Sequence, residues 1–349
     1  RAHPPVSGQS LLRLSIPSPS RGVWHLGFFP IRAYALCIIA GVIVGVFVGN
    51  RRFVARGGAE GFVADFAMWS VPAGLIGARI YHVLTDFGAY FGPDRGTEKV
   101  WQIWKGGLGI PGGLIAGGLV AWAFCRYRHV PLPVLADAVA PGIALAQALG
   151  RWGNWFNSEL FGRPTSLPWG LRIAPEFRPP GFARFATFQP TFLYESIWDV
   201  GTALLVIWAD RRFRLGHGRA FALYVATYAV GRFWIEYLRI DTADRIGPLR
   251  LNDWTALIAF VGAVAYLLLS RRFRPGRETF AMPAPVITAG SAPGTDLDRE
   301  DGDLPQPGGP TGHNEEVGDG AGSPPGSTSP PEPEPRVAAS PHPSETEVR

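Results

Sequence analysis

Charged side chains are scarce in this 349-residue chain, at 17%, and cysteine is nearly absent, with Cys37 and Cys125 in separate apolar runs. Two isolated thiols exclude a disulfide framework and are read as packing residues. No His/Cys cluster has metal-ligand spacing, so neither a metal nor another cofactor is expected. The opening residues, RAHPPVSGQSLLRLSIPSPSRGVW, lack the uninterrupted apolar core of a cleavable signal peptide. What is plentiful is apolar. Hydrophobic residues make up 47% and come in long blocks separated by arginine-rich breaks, the composition of a polytopic helical membrane protein.

The last 75 residues, from Pro275, break that pattern and carry no hydrophobic periodicity. Such a segment buries too little apolar surface to offset its chain entropy, so it is read as a disordered, acidic, Pro/Gly-rich tail. It holds 13 of the 28 Asp and Glu and 4 of the 33 Lys and Arg, leaving 15 acids and 29 bases elsewhere. The net charge of +5 thus divides into a body of +14 and a tail of −9. Positive charge at segment ends suits an anionic membrane surface better than nucleic acid. Three regions follow: an extracytoplasmic segment 1–28, a transmembrane body 29–274 and a cytoplasmic tail 275–349.

A helix needs about 20 mostly apolar residues to cross the hydrocarbon core. Seven spans qualify: Phe29 to Gly49, Phe62 to Leu84, Leu108 to Cys125, Pro133 to Trp152, Pro190 to Ala209, Ala220 to Leu238 and Asp253 to Ser270. The breaks after spans one, three, five and seven hold 13 arginines and a single aspartate. The positive-inside rule makes those breaks cytoplasmic and the N-terminus external. The fold class expected is therefore all-α, with seven transmembrane helices. Gly41, Gly45 and Gly49 in span one, and Gly113 with Gly117 in span three, recur every fourth residue and mark close helix contacts. Trp101, Trp104, Trp152, Trp155 and Trp169 fit an aromatic belt at the outer interface.

Ionisable groups inside such spans need an account. An arginine near mid-bilayer costs about 2.5 to 3.5 kcal/mol on insertion scales, so Arg79 and Arg232 should face the protein interior. Arg232 and Glu236 are four apart and share a helix face. Asp137 and Arg151 share a face near opposite ends of span four, and Asn154 follows Arg151 by three residues. Tyr34, Arg151, Asn154, Glu159, Glu195, Arg232 and Glu236 all fall in the outer half of the membrane or just above it. Arginine forks and asparagine amides gathered at one depth suit an anionic, oxygen-rich ligand such as a phospholipid headgroup. Composition alone leaves open a phospholipid-handling enzyme and a transporter or flippase of an anionic lipid or solute.

The stretch GRWGNWFNSELFG, Gly150 to Gly162, resembles the signature of the prolipoprotein diacylglyceryl transferase family. Gly150, Arg151, Gly153, Asn154, Asn157, Glu159, Gly162 and Arg163 stand at the family's spacing. The likeness runs from about Ser15 to Arg272 and includes GARIYHVL, ADAVAP, QPTFLYES and YAVGRFWIEYLR. It implies transfer of the diacylglyceryl group of phosphatidylglycerol to the lipobox cysteine of preprolipoprotein signal peptides, at the bacterial cytoplasmic (inner) membrane. It also implies a headgroup pocket of Arg151, Asn154, Asn157 and Gly162, and catalytic roles for Arg232, Glu236, Glu159 and Tyr34. Tyr228, Arg79, Asp137, Glu195 and Gly106 match further polar or loop positions of the family.

One position departs from the family. The loop into span three reads GGLGIPGG, with Pro111 where better known members carry a histidine proposed to be catalytic. A base for the thiol is then unassigned. His82, three residues after Arg79, is assigned to the inner half of the membrane and read as a packed residue. Glu159, Glu195 and Glu236 lie at a better depth for that role.

Overall fold

The structure, a computed structural model, describes residues 15–27, 29–91, 100–103, 106–241 and 245–282. Trp104 and the tail beyond residue 282 lie outside the described residues. Apolar blocks of about 20 residues with few breakers become long helices: α1 (Ala33–Val54), α2 (Phe62–Thr85), α4 (Ile110–Tyr127), α5 (Leu132–Asn157), α6 (Thr191–Phe213), α7 (Arg219–Leu238) and α8 (Leu251–Phe273), with α3 (Phe87–Tyr90) a single turn. Five of the long helices, α1, α4, α5, α6 and α8, are long and apolar enough to cross a membrane. Their outward faces carry exposed Ile43, Phe47, Leu114, Leu119, Leu204 and Ile258, a pattern suited to an apolar surround.

Helix α5 is the axis of the bundle. Its small residues let α1 come close: a Cβ at Gly142 would lie 2.5 Å from the Gly45 carbonyl oxygen, and one at Gly41 2.8 Å from that of Ala146. Gly41 facing Ala146 and Gly49 facing Val139 make the pair antiparallel. The expected glycine stripe in α4 is realised differently. Gly112 and Gly113 meet Gly77 and Gly74 of α2, whereas Gly117 faces open space.

Two ends result. At the arginine-rich end, Asp210 of α6 binds Arg52 at 2.8 Å and Arg56 at 3.0 Å, as well as Arg277. Asp137, on the second turn of α5, lies there and accepts hydrogen bonds from the Gly218 and Phe221 backbone N–H groups at 3.0 and 2.9 Å. It therefore caps the positive start of α7. Residues after α8 fold back onto this end. Phe280 packs near Phe53, with ring centroids 6.1 Å apart, and the Met282 N–H donates to the Gly57 carbonyl.

The opposite end carries a small head, so the all-α expectation needs a correction. Strand β1 (Ile16–Pro17) pairs in parallel with β4 (Leu171–Arg172), which pairs antiparallel with β5 (Thr187–Phe188). A hairpin of β2 (Val23–Leu26) and β3 (Phe29–Arg32) leads into α1, and β6 (Arg245–Ile246) with β7 (Leu249–Arg250) precedes α8. Under the head, Phe161, Leu171, Ile173, Phe188 and Phe192 form a buried cluster, with Trp155 packed against it. Trp155 donates to the Pro17 carbonyl at 3.0 Å, so it ties the head to α5 instead of serving only as a belt residue.

Candidate active site

The site gathers where α5 ends and α6 begins. Helix α5 continues past the expected span to Asn157, which puts Arg151, Asn154 and Asn157 on its last turns. Ser158 at φ 52° and Leu160 at φ 59° then reverse the chain. The reversal returns Glu159 over the helix end, where its Oε1 accepts from Asn154 Nδ2 at 3.0 Å and Asn157 Nδ2 at 3.1 Å. Gly153 is needed because Tyr34, on the first turn of α1, packs its ring where a Cβ would stand. Tyr34 thereby faces the charges of Arg151 and Glu159.

A ladder of charges crosses from α5 to α8. The Glu195 carboxylate binds Arg151 through one oxygen and lies 3.8 Å from Arg232 through the other. Arg232 also pairs with Glu236 at 2.9 Å. Glu236 is wholly buried, and further contacts come from Arg250 at 3.1 Å, Arg239 at 3.4 Å and Asn252 at 3.0 Å. Buried ions survive only when paired and hydrogen-bonded. Arg151 and Arg232 nevertheless keep 19% and 18% of their side chains exposed.

Other expected residues have different placements. Tyr228 lines a small cavity with Arg151, Glu195, Asp199 and Arg232. Gly162 sits close to the end of α7, where a Cβ would come 3.0 Å from the Leu238 carbonyl oxygen, and so fixes the loop. Arg79 donates to the carbonyls of Val100, Gly106 and Gly107, each at 2.8 Å, and stacks over Tyr90. It braces the glycine loop before α4, with Gly106 in the left-handed region at φ 94°. Asp137 is not brought to this cluster, since it lies at the arginine-rich end. His82 needs a correction: it stands on the last turn of α2 against Gly107, at the same end as Arg151. The inner-half assignment ignored that α2 runs toward that end.

Sequence reasoning missed Asp199, Arg239, Arg250 and Asn252. Asp199 follows Glu195 by one helical turn, so a pair of acids at i and i+4 inside an apolar run was the available signal. Arg250 and Asn252 fall in the short polar break before the expected seventh span, where ionisable residues attract no notice.

Fold and site together define a polytopic helical membrane protein with an arginine–carboxylate ladder at one bundle end. The prolipoprotein diacylglyceryl transferase family model matches residues 21–269, and the chain belongs to that family. It is 60% identical over 279 residues to phosphatidylglycerol–prolipoprotein diacylglyceryl transferase 1 of Streptomyces coelicolor, covering 79% of this chain and 80% of that one. The enzyme of the same name from Cutibacterium acnes is 52% identical over 280 residues, with 80% and 95% covered. That from Mycobacteroides abscessus is 51% identical over 276 residues, with 75% and 80% covered. Family membership decides for a transferase over a transporter.

Proposed function

We propose that this chain transfers the diacylglyceryl group of phosphatidylglycerol to the lipobox cysteine thiol of preprolipoproteins, forming a thioether and releasing glycerol phosphate. The observation that carries the reading is the pair Arg151 and Arg232, held on either side of Glu195 with neither side chain fully buried. Guanidinium forks match phosphate oxygens, and carboxylate partners fix the forks before the lipid arrives.

All seven long helices span the membrane in this reading. Helices α2 and α7 have 24 and 20 residues, reaching about 36 and 30 Å at 1.5 Å per residue. Arg79 in α2, and Arg232 with Glu236 in α7, lower the hydropathy of those two helices without shortening them. The arginine-rich breaks face the cytoplasm, which puts the head and the ladder at the outer face. There a lipid phosphate and a secreted cysteine meet.

The thiolate attacks the glyceryl carbon that bears the phosphate ester, the C–O bond breaks, and the electron pair leaves on phosphate oxygen. Arg151 and Arg232 bind the phosphate and stabilise the charge that grows on the departing oxygen. Asn154, Asn157 and Glu159 form a rim able to bind the glycerol hydroxyls of the headgroup. Substituting Arg232→Gln should slow transfer from labelled phosphatidylglycerol in vesicles to a lipobox peptide by about 10²- to 10³-fold. An unchanged rate would remove the clamp from the mechanism.

A further inference from the structure

At the site end, most carboxylates are already engaged. Glu159 holds two asparagine amides, Glu195 holds two arginines, and Glu236 holds three arginines and an asparagine. Asp199 is different. It is only 3% exposed, and its Oδ2 has no hydrogen-bond partner among the described residues. A buried polar atom left unmatched is costly, so such an atom in a native site calls for a functional reason.

Asp199 lines a cavity together with Arg151, Glu195, Trp198, Tyr228, Gly231, Arg232 and Ile235. The free space there is about 10 Å³, room for one small group. Charges reach Asp199 from three helices: Arg151 on α5, Glu195 on its own α6 and Arg232 on α7. Both arginines of the phosphate clamp thus border a space fitted to one small group, with a carboxylate oxygen to receive a hydrogen bond. Two other carboxyls at this end have an oxygen without a hydrogen bond among the described residues, Glu195 through Oε2 and Asp253 through Oδ1, but Glu195 Oε2 is ion-paired with Arg151. The second oxygen of Asp253 caps α8 by accepting from the Arg250 N–H at 3.0 Å, and Asp253 borders a separate cavity beyond Glu236.

We propose that Asp199 is a catalytic residue of the transfer, whose Oδ2 takes the proton of the substrate thiol. This rests on the clamp reading above. The S–H proton passes to the Asp199 carboxylate as sulfur bonds to the glyceryl carbon and the phosphate oxygen leaves with the C–O pair. Asp199 then returns the proton to the released phosphate monoester or to water, and every atom and charge balances. A neutral-pH thiol is only a few per cent ionised, so a base beside it removes the need to wait for free thiolate.

The test uses the full chain in phosphatidylglycerol vesicles, with single-turnover transfer to a lipobox peptide followed from pH 5.5 to pH 9. Asp199→Asn should slow transfer at pH 7 by about 10²- to 10⁴-fold with the KM for phosphatidylglycerol unchanged. Its rate should then climb about tenfold per pH unit toward the thiol pKa of about 8.5, while the wild-type profile is flatter. A merely structural role would lower the rate by one factor at every pH, and parallel profiles overturn the proposal. Asp199→Glu keeps a carboxyl and should retain the flat profile. If the asparagine variant does not fold, a steep profile for the glutamate variant overturns the proposal equally. Asp253→Asn should leave the profile flat; a steep one moves the base to Asp253 and overturns the assignment. Failure of the clamp reads out separately, as Arg151→Gln and Arg232→Gln variants with unchanged KM and turnover.

Discussion

Glu236 holds three guanidiniums and an amide with one wholly buried carboxylate. Removing its charge leaves Arg232, Arg239 and Arg250 in mutual repulsion, and breaking a buried pair from one side costs about 3 to 5 kcal/mol. Glu236→Gln should therefore unfold at markedly lower temperature in detergent as well as lose activity. An unshifted midpoint would show that the arginines find other partners. Asp241 sits nearby, 32% exposed, between Arg239 at 2.8 Å and Arg250 at 3.0 Å. Partial burial pushes its pKa up, but the Arg239 hydrogen bonds and the charges of Arg239 and Arg250 outweigh this and hold it below the usual carboxylate range. A depressed carboxyl stabilises fully above the unfolded value of about 3.9 and loses that contribution as pH falls through the folded value. Asp241→Asn should thus be less stable than wild type at pH 7, and the gap should close at strongly acid pH. At this scale much of the site is legible in sequence, because arginine in an apolar run is too costly to be accidental. Asp199 was legible by the same logic. Arg250 and Asn252 were not, since only the fold carries the start of α8 to the end of α7.

Helix contacts follow the same divide. The glycine stripe of α1 can be read directly, because Gly41 and Gly45 do meet α5 across the crossing. That of α4 cannot, because which of four glycines meets α2 depends on how the helix is rotated about its axis, and the partner sets that rotation. Gly142→Ala should push α1 from α5 and lower thermal stability by about 1 to 3 kcal/mol, the range for overpacked cores. Gly117→Ala meets nothing within 4 Å and should be neutral or slightly stabilising, since alanine is the better helix former. Equal effects in a detergent unfolding assay would contradict the packing described. The strands of the head left little sequence signal. Elements of two residues, such as β1, β4 and β5, are too short for alternation to register, and β1 pairs with a partner more than 150 positions away.

Across the whole molecule, the last described segment joins both the bundle and the expected tail. The expected boundary at Pro275 falls ahead of residues that pack. Arg277 adds a third guanidinium to Asp210 and donates to the Leu215 carbonyl at 3.1 Å, and Glu278 accepts from the His217 N–H at 2.5 Å. Phe280 and Met282 close over Phe53 and the Gly57–Ala59 turn, where Met282 sulfur lies 3.5 Å from the Ala59 N–H. These contacts bind the ends of α1 and α6 and the start of α7, the same three elements that Asp137, Asp210, Arg52 and Arg56 connect. Helix α6 carries Asp210 at this end and Glu195 near the other, so loosening its base should blur the position of Glu195 between Arg151 and Arg232. Two truncations separate the parts. A chain ending at Met282 keeps every contact named here and should match the full chain in stability and transfer rate. A chain ending at Arg274 loses the Arg277 ion pair and the Phe280 packing, and should melt several degrees lower with a reduced transfer rate. If both truncated chains behave alike, the segment from Pro275 to Met282 contributes nothing to the bundle, and α6 is held at its base by Arg52 and Arg56 alone.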